Sequence, residues 1–328
     1  MKRLAFAVLA AATLAGCDNG GASSALGVAA TGTVYGRVFY DINGSRSFDA
    51  ADPAYPGARV TLRLAGAADT LRVAQSGADG AFRFVDVPVG SYLLAVDSAG
   101  AADSARPVAQ LPTVVSVLPG DSVEFIGGVS DPSRSIAEVR GLPLGARALV
   151  RGIALHALAV FSDTTLHLVD TSGALRASRV RPPLGGLTAG DSIVLRGRVA
   201  LRAGQRVLDD VTVAVVSPTF IPTAPLLTTA QAATGGPFGS LDAALVRLAN
   251  VLVSDTATVA GDLRLTVSDG TGPVVVVLDR AADPGFRPPL PTGLYVPGNR
   301  FDLTGILVPT GTGTWRLKPR SSLDLTRR

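Results

Sequence analysis

From Thr33 onward the apolar residues of this chain recur at every second position, in runs of five or six, with turn-forming residues between the runs. Val60-Thr61-Leu62-Arg63-Leu64 puts its apolar side chains on one face, and Ala81-Phe82-Arg83-Phe84-Val85 does the same. Ser91 to Val96 follows the alternation less strictly. A period of two is the period of a strand with one buried face. Ala78-Asp79-Gly80, Pro88-Val89-Gly90 and Pro119-Gly120-Asp121 supply the turns, because Gly and Asp tolerate the backbone a tight reversal needs. Strands this short and this evenly spaced predict an all-β fold, beginning with an Ig-like or prealbumin-like sandwich over residues 33–130.

Asp131-Pro132-Ser133 interrupts the pattern. A short helix is expected at Ser135–Arg140, with Ser133 or Ser135 as its N-cap. The second half then repeats itself. Ala148-Leu149-Val150-Arg151 returns as Ala244-Leu245-Val246-Arg247, and Leu166 to Gly173 returns as Leu265 to Gly272. Ala189-Gly190-Asp191 with Leu195-Arg196-Gly197 returns as Pro297-Gly298-Asn299 with Leu303-Thr304-Gly305. A further strand closes each copy, Leu208–Val216 and Trp315–Leu325, and a short helix precedes each, the second at Thr228–Ala233. The Asp-x-x-Gly element in each copy reads as a hairpin turn in which Asp bonds local backbone. The glycine after the third strand suits a sharp bend, as in a small closed barrel. Each copy resembles a Greek-key OB barrel, and the pair resembles tandem OB-like domains of bacterial lipoproteins and of secreted nuclease accessory regions. The expected units are 135–218 and 228–326.

One loop carries specific chemistry. Counted from Asp41, oxygen-bearing side chains fall at positions one, three, five, nine and twelve: Asp41, Asn43, Ser45, Asp49 and Asp52. Ser47 at position seven offers its carbonyl. This is the spacing of an EF-hand-like calcium loop, in which alternate residues aim hard oxygens at one point. Arg46 stands where such loops place glycine, and Asp52 stands where they place glutamate. The expected ligand is calcium, bound weakly, or else a polar turn that has lost the ion. Phe39, Asp41, Asn43, Asp49, Gly57 and Val60, followed by Asp79-Gly80 and Gly90-x-Tyr92, resemble the B-type domain of serine-aspartate-repeat (Sdr) surface adhesins. They also resemble the wider transthyretin-like and carboxypeptidase-regulatory-like sandwiches. The Sdr resemblance implies a calcium-stiffened module of a surface stalk.

The N-terminus sets an address. Lys2 and Arg3 precede an apolar run from Leu4 to Ala15, and Leu14-Ala15-Gly16-Cys17 follows. A run of about a dozen apolar residues is too short for a bilayer core of roughly 30 Å. It reads as a secretion signal over residues 1–16 and resembles a lipoprotein signal. That resemblance implies a lipid on Cys17, the single cysteine of the 328-residue chain. Residues 17–32, rich in Gly, Ala and Ser, would tether the lipid to the first folded unit. Export in this form implies a membrane partner through the lipid and a place in the cell envelope, facing the periplasm or the surface.

Charge and composition narrow the function. Without Lys2 and Arg3 the chain holds 28 basic against 26 acidic residues, with no basic block beyond Arg327-Arg328. That is a poor electrostatic footprint for nucleic acid. Single-strand binding also needs aromatic platforms, and Phe161, Phe286, Tyr295, Phe301 and Trp315 are the candidates. Arg151, Arg196, Arg198, Arg202, Arg206 and Arg247 alternate along strand-like runs and read as a solvated face. His156 and His167, the two histidines, read as exposed strand residues without metal-ligand company. No Gly-x-Ser-x-Gly elbow is present. The expectation is a structural, adhesive or binding protein rather than an enzyme, with an envelope protein or polysaccharide as partner. The alternative is that the barrels hold an oligosaccharide, a peptide or extracellular DNA, or recruit a hydrolase.

Overall fold

A computed structural model describes residues 30–97, 106–108, 113–158, 160–161, 164–181, 186–311 and 313–328. The signal segment, Cys17 and most of the tether lie outside the described residues. The chain is all-β, a sandwich followed by two OB-like barrels.

The sandwich uses β1 (Thr31–Tyr40), β2 (Arg59–Leu64), β3 (Thr70–Gln75), β4 (Ala81–Pro88), β5 (Gly90–Asp97), β6 (Arg106–Pro107), β7 (Thr113–Val117) and β8 (Ser122–Ser130). One sheet has the order β4-β1-β8-β6 and the other β3-β2-β5-β7. β1 and β8 run parallel, whereas its other neighbour, β4, is antiparallel. The alternation seen in the sequence buries Val34, Val38, Val60, Leu62, Phe82, Phe84, Leu94 and Val96 between the sheets. Tyr92 is buried with them, and its hydroxyl donates to the Pro88 carbonyl at 2.7 Å, so the phenol costs the core little.

The first repeat comprises β9 (Ser133–Arg134), α1 (Ile136–Gly141), β10 (Arg147–Ala154), β11 (Leu166–Asp170), β12 (Gly173–Ser178), β13 (Asp191–Arg202) and β14 (Gln205–Pro218). The second comprises β15 (Leu226–Leu227), α2 (Thr229–Thr234), β16 (Leu245–Val259), β17 (Asp262–Ser268), β18 (Pro273–Leu278), β19 (Arg300–Gly311), β20 (Thr314–Lys318) and β21 (Leu325–Arg327). Strand order is β11-β12-β14-β13-β10 in one barrel and β16-β17-β18-β20-β19 in the other. β10–β11 closes the first and β16–β19 the second. In both, the third and fifth strands are parallel, so the sequence repeat is a repeat of topology. The run Trp315–Leu325 is not one strand, however. It breaks after Lys318 into a short turn of 3₁₀ helix at Ser322–Asp324 and the separate strand β21.

Both helices begin where their capping residues place them. Ser135 and Thr228 are the N-caps, and each forms a reciprocal capping box with the residue three further on, Glu138 or Gln231. Each helix also rests on the hairpin of its own barrel. Asp170 Oδ2 accepts from Ile136 N at 2.8 Å, and Asp269 Oδ2 accepts from Thr229 N at 3.1 Å. The repeated Asp therefore holds the hairpin and caps a helix distant in sequence, satisfying an amide the helix cannot. The repeated glycine permits a close crossing. A Cβ on Gly197 would lie 2.9 Å from Val211 Cγ2, and one on Gly305 would lie 2.8 Å from the Lys318 carbonyl oxygen.

Candidate functional site

The Asp41–Asp52 loop leaves the end of β1 and is pinned at its root. Asp41 N donates to Val129 O at 2.9 Å, and Ser130 Oγ donates to Asp41 O at 3.0 Å. The Asp41 carboxylate, 1% exposed, accepts from Ser45 N at 3.1 Å and Arg46 N at 3.0 Å. Asn43 Oδ1 also accepts from Ser45 N, while its amide nitrogen donates to Asp49 Oδ2 at 2.7 Å. Asp52 accepts from Ile42 N and Asp49 N, both at 3.1 Å. Ser45 Oγ donates to Ser47 O at 2.9 Å. Arg46 takes φ +66°, the conformation for which such loops use glycine.

Calcium asks for six to eight oxygens around one point. The donor types present are the right ones. As folded, the carboxylates face backbone N–H groups, and the Asn43 amide points a nitrogen at Asp49. Among the described residues no three acidic or histidine side chains are grouped to hold a metal ion. The side chains do not fit the ion in this arrangement. Burial raises the Asp52 pKa, its amide partners opposing the shift.

The loop is also one wall of a seam between the sandwich and the first barrel. Arg151 of β10 donates to the Gly44 carbonyl. Beside it, the Arg196 guanidinium of β13 lies 4.1 Å above the Tyr40 ring. Arg196 Nε donates at 2.8 Å to Asp131, whose side chain is fully buried. Three segments meet there: the last residue of β1, the linker after β8, and β13. Burial, and then the nearby Asp131 carboxylate, push the Tyr40 phenol well above its ordinary pKa.

A second seam joins the barrels. Leu155 and Phe161 pack with Leu245 and Ile306. Lys318 places its ammonium 4.5 Å from the Phe161 ring and 2.7 Å from Asp279. Arg320, paired with Asp324, donates to Leu155 O at 3.1 Å, and Arg140 donates to Asp242 O at 2.8 Å. His156 and His167 sit here, 1% and 2% exposed, with His156 Nε2 2.9 Å from His167 Nδ1. Burial first, then the neighbouring His156 and the cations Arg176 and Lys318, hold the His167 pKa well below its usual value.

These positions correct one expectation. The histidines are interior residues rather than exposed ones. Of the alternating arginines, Arg151, Arg198, Arg202 and Arg247 are exposed as expected, and Arg196 and Arg206 are half-buried; several are also paired, Arg202 with Asp209 and Arg247 with Asp302, while Arg206 reaches the Leu142 carbonyl and Arg198 reaches Gly145 O at 3.3 Å. Phe161, Phe286, Tyr295, Phe301 and Trp315 are all buried, so none of them offers a ring face to a base. Asp131 was legible in the sequence only as a break between units, and nothing local marks it as the partner of Arg196.

No family model matches the chain, and no curated protein matches it. Solved structures show partial similarity. The hypothetical protein ygiW from E. coli is 18% identical over 26% of this chain and 90% of that one, with a TM-score of 0.23. The minor pilin GBS52 of Streptococcus agalactiae is 13% identical over 33% of this chain and half of its own, at 0.25. A murine DNA-binding protein bound with double-stranded DNA is 11% identical over 55% of this chain and 97% of that one, at 0.29. At these scores the function of the chain is left to its own residues.

Proposed function

We propose that this chain is a lipid-anchored cell-envelope protein that serves as a stiff structural or binding element and performs no chemistry of its own. Cys17 would carry the lipid, the residues between it and β1 would tether the folded part, and the sandwich would stand as an adhesin B-type module ahead of the two barrels. The partner would be an envelope protein or polysaccharide. The observation that carries the reading is the seam at Arg196, where one guanidinium is held by a ring from the sandwich and a buried carboxylate from the linker. Freely jointed beads would leave these groups to water, since a buried charge is costly unless paired. A spacer that must hold its direction needs such a joint. Engagement of both histidines with each other in the interior also supports a non-catalytic role.

Two measurements test this. Radioactive palmitate should label the wild-type protein in the membrane fraction, and Cys17→Ser should be unlabelled and released. Spin labels at Arg83→Cys and Thr326→Cys, in a Cys17→Ser chain, should give one narrow distance distribution. A broad distribution would remove the stiff-spacer reading, and labelling of Cys17→Ser would remove the anchor.

A further inference from the structure

The outer face of the β4-β1-β8 sheet is open to water and sets one aromatic ring among charges of both signs. Register places Tyr35 of β1 directly opposite Arg83 of β4 on one side and Glu124 of β8 on the other. Arg37, two residues further along β1, shares this face. It lies diagonal to Arg83, at about 7–8 Å between backbones, and its direct partner on β4 is Ala81. That small side chain leaves a hollow beside the two arginines. Tyr35, Arg37, Arg83, Glu124 and Ala81 are all exposed, and with Gln75 at the end of β3 they line a cavity of about 530 Å³. Among the described residues, Arg37, Arg83 and Glu124 enter no ion pair. Further along β1, Phe39 is roofed by Phe48, whose ring centroid is 5.4 Å away and which is 44% exposed. A strand rise of about 3.4 Å per residue sets Phe39 about 14 Å from Tyr35.

We propose that this face binds an acidic polysaccharide, with one carboxylated sugar seated on Tyr35. The inference rests on the proposed polysaccharide partner and gives that partner a chemistry and a place. A sugar ring is apolar on its C–H faces and polar at its rim, so an exposed tyrosine ring flanked by hydrogen-bonding groups suits it. The carboxylate of the sugar meets Arg37 and Arg83, whose guanidiniums can each donate two parallel bonds. Its hydroxyls donate to Glu124, which only accepts, and bond with the Gln75 amide. Glu124 also argues against a compact inorganic anion, which it would repel. Two guanidiniums against one carboxylate leave one net positive charge, enough to favour a carboxylate and too little to hold a nucleic-acid backbone. An extended peptide adding as a further strand meets an obstructed edge, because Arg72 already donates to the Val85 and Asp86 carbonyls of the edge strand β4. The second exposed ring, at Phe48, suits a chain of sugars rather than a single one.

The test is calorimetric titration of the full chain carrying Cys17→Ser with oligogalacturonate and with oligomannuronate. The controls are fully methyl-esterified oligogalacturonate, galacturonic acid and polyglutamate. At least one acidic oligomer should bind, more tightly at low salt because exposed charges are screened. Esterification blocks the carboxylate and keeps the sugar, and it should weaken binding by about tenfold or more, as should Arg83→Gln. Tyr35→Ala should weaken it similarly, whereas Tyr35→Phe should bind as wild type, since the ring face makes the contact. Both positions are exposed, so these variants should melt with the wild type. Arg63→Gln, on β2 of the opposing sheet, should bind normally. No binding of either acidic oligomer, an ester or galacturonic acid held as tightly as the acidic oligomer, polyglutamate held more tightly, or undiminished binding by Tyr35→Ala would overturn the proposal. Such a result would leave the lipid anchor and the stiff spacer standing, because palmitate labelling and the spin-label distance read those directly.

Discussion

Replacing Arg196 by alanine should open the seam between the sandwich and the first barrel. The Asp131 side chain is fully buried and the Arg196 side chain is 26% exposed. Breaking a buried pair by removing one partner costs about 3–5 kcal/mol, because the other charge is left without compensation. The partial exposure of Arg196 places the loss near the lower end, about 3 kcal/mol, with the lost contact over Tyr40 included in that figure. Unfolding of a chain with several units is not a single transition, so the assay is hydrogen exchange read locally. Amides of residues 127–135, among them Ser130 and Asp131, should exchange faster by about a hundredfold, since 1.4 kcal/mol is tenfold. The double variant Arg196→Met with Asp131→Leu should recover most of the protection, because it removes both charges together. A change of less than threefold in Arg196→Ala, or no recovery in the double variant, would refute the claim that a buried ion pair holds this joint.

Four other outcomes follow from the same geometry. His167 is held neutral, so the unfolded chain takes up a proton that the folded chain refuses as pH drops below about 6.5; stability of the barrel pair should fall from that pH downward, and His167→Gln should flatten the decline in urea melts between pH 6.5 and 5. The hydrogen bond from Arg328, helped by Asn250 N and Arg247, holds the Asp302 carboxyl well below the usual carboxylate range. Its stabilisation is present above about pH 4 and is lost on acidification, so Asp302→Asn should be less stable at neutral pH with a shallower acid limb. Gly235 has φ +68°, and a Cβ there would lie 2.4 Å from Trp315 Cδ2; Gly235→Ala should cost about 2–4 kcal/mol, seen in a melt followed by Trp315 fluorescence. Because the loop carboxylates are already turned to backbone amides, millimolar calcium should leave the melting temperature unchanged, and a saturable rise lost in Asp49→Ala would show that the loop rearranges around the ion.

What the sequence determined on its own was whatever depends on near neighbours. Alternation at period two is a property of five or six residues, and it marked the sandwich strands whose apolar side chains fill the core. Ser135 with Glu138, and Thr228 with Gln231, start the two helices through contacts three residues apart, so the sequence narrowed the first start to Ser133 or Ser135 and placed the second within one residue. The repeated segments implied a repeated topology, because similar local patterns closed by similar turns have few ways to pair. The spacing of Asp41, Asn43, Ser45, Asp49 and Asp52 marked a loop of unusual chemistry. It could not say which way those oxygens turn, since an amide and an ion compete for the same lone pairs.

Tertiary structure alone decided which charges are neutralised and by what. Arg196 finds Asp131 across 65 residues, Arg140 finds the Asp242 carbonyl across 102, and Arg320 finds that of Leu155 across 165. No local pattern encodes such partners. On β10 and β13, Arg151 and Arg198 are exposed as alternation suggests, whereas Arg196 is half-buried, because alternation says only that two faces differ. It does not say what will pack against the outer one. The histidines were misplaced for the same reason: His156, in the segment after β10, and His167 of β11 pack against each other and against Phe161, which in turn packs with Leu245 and Ile306 of the second barrel. Chain closure brings distant strands into register, and that register placed residues such as Arg147 and Arg198 side by side, a pairing that no reading along the chain would give.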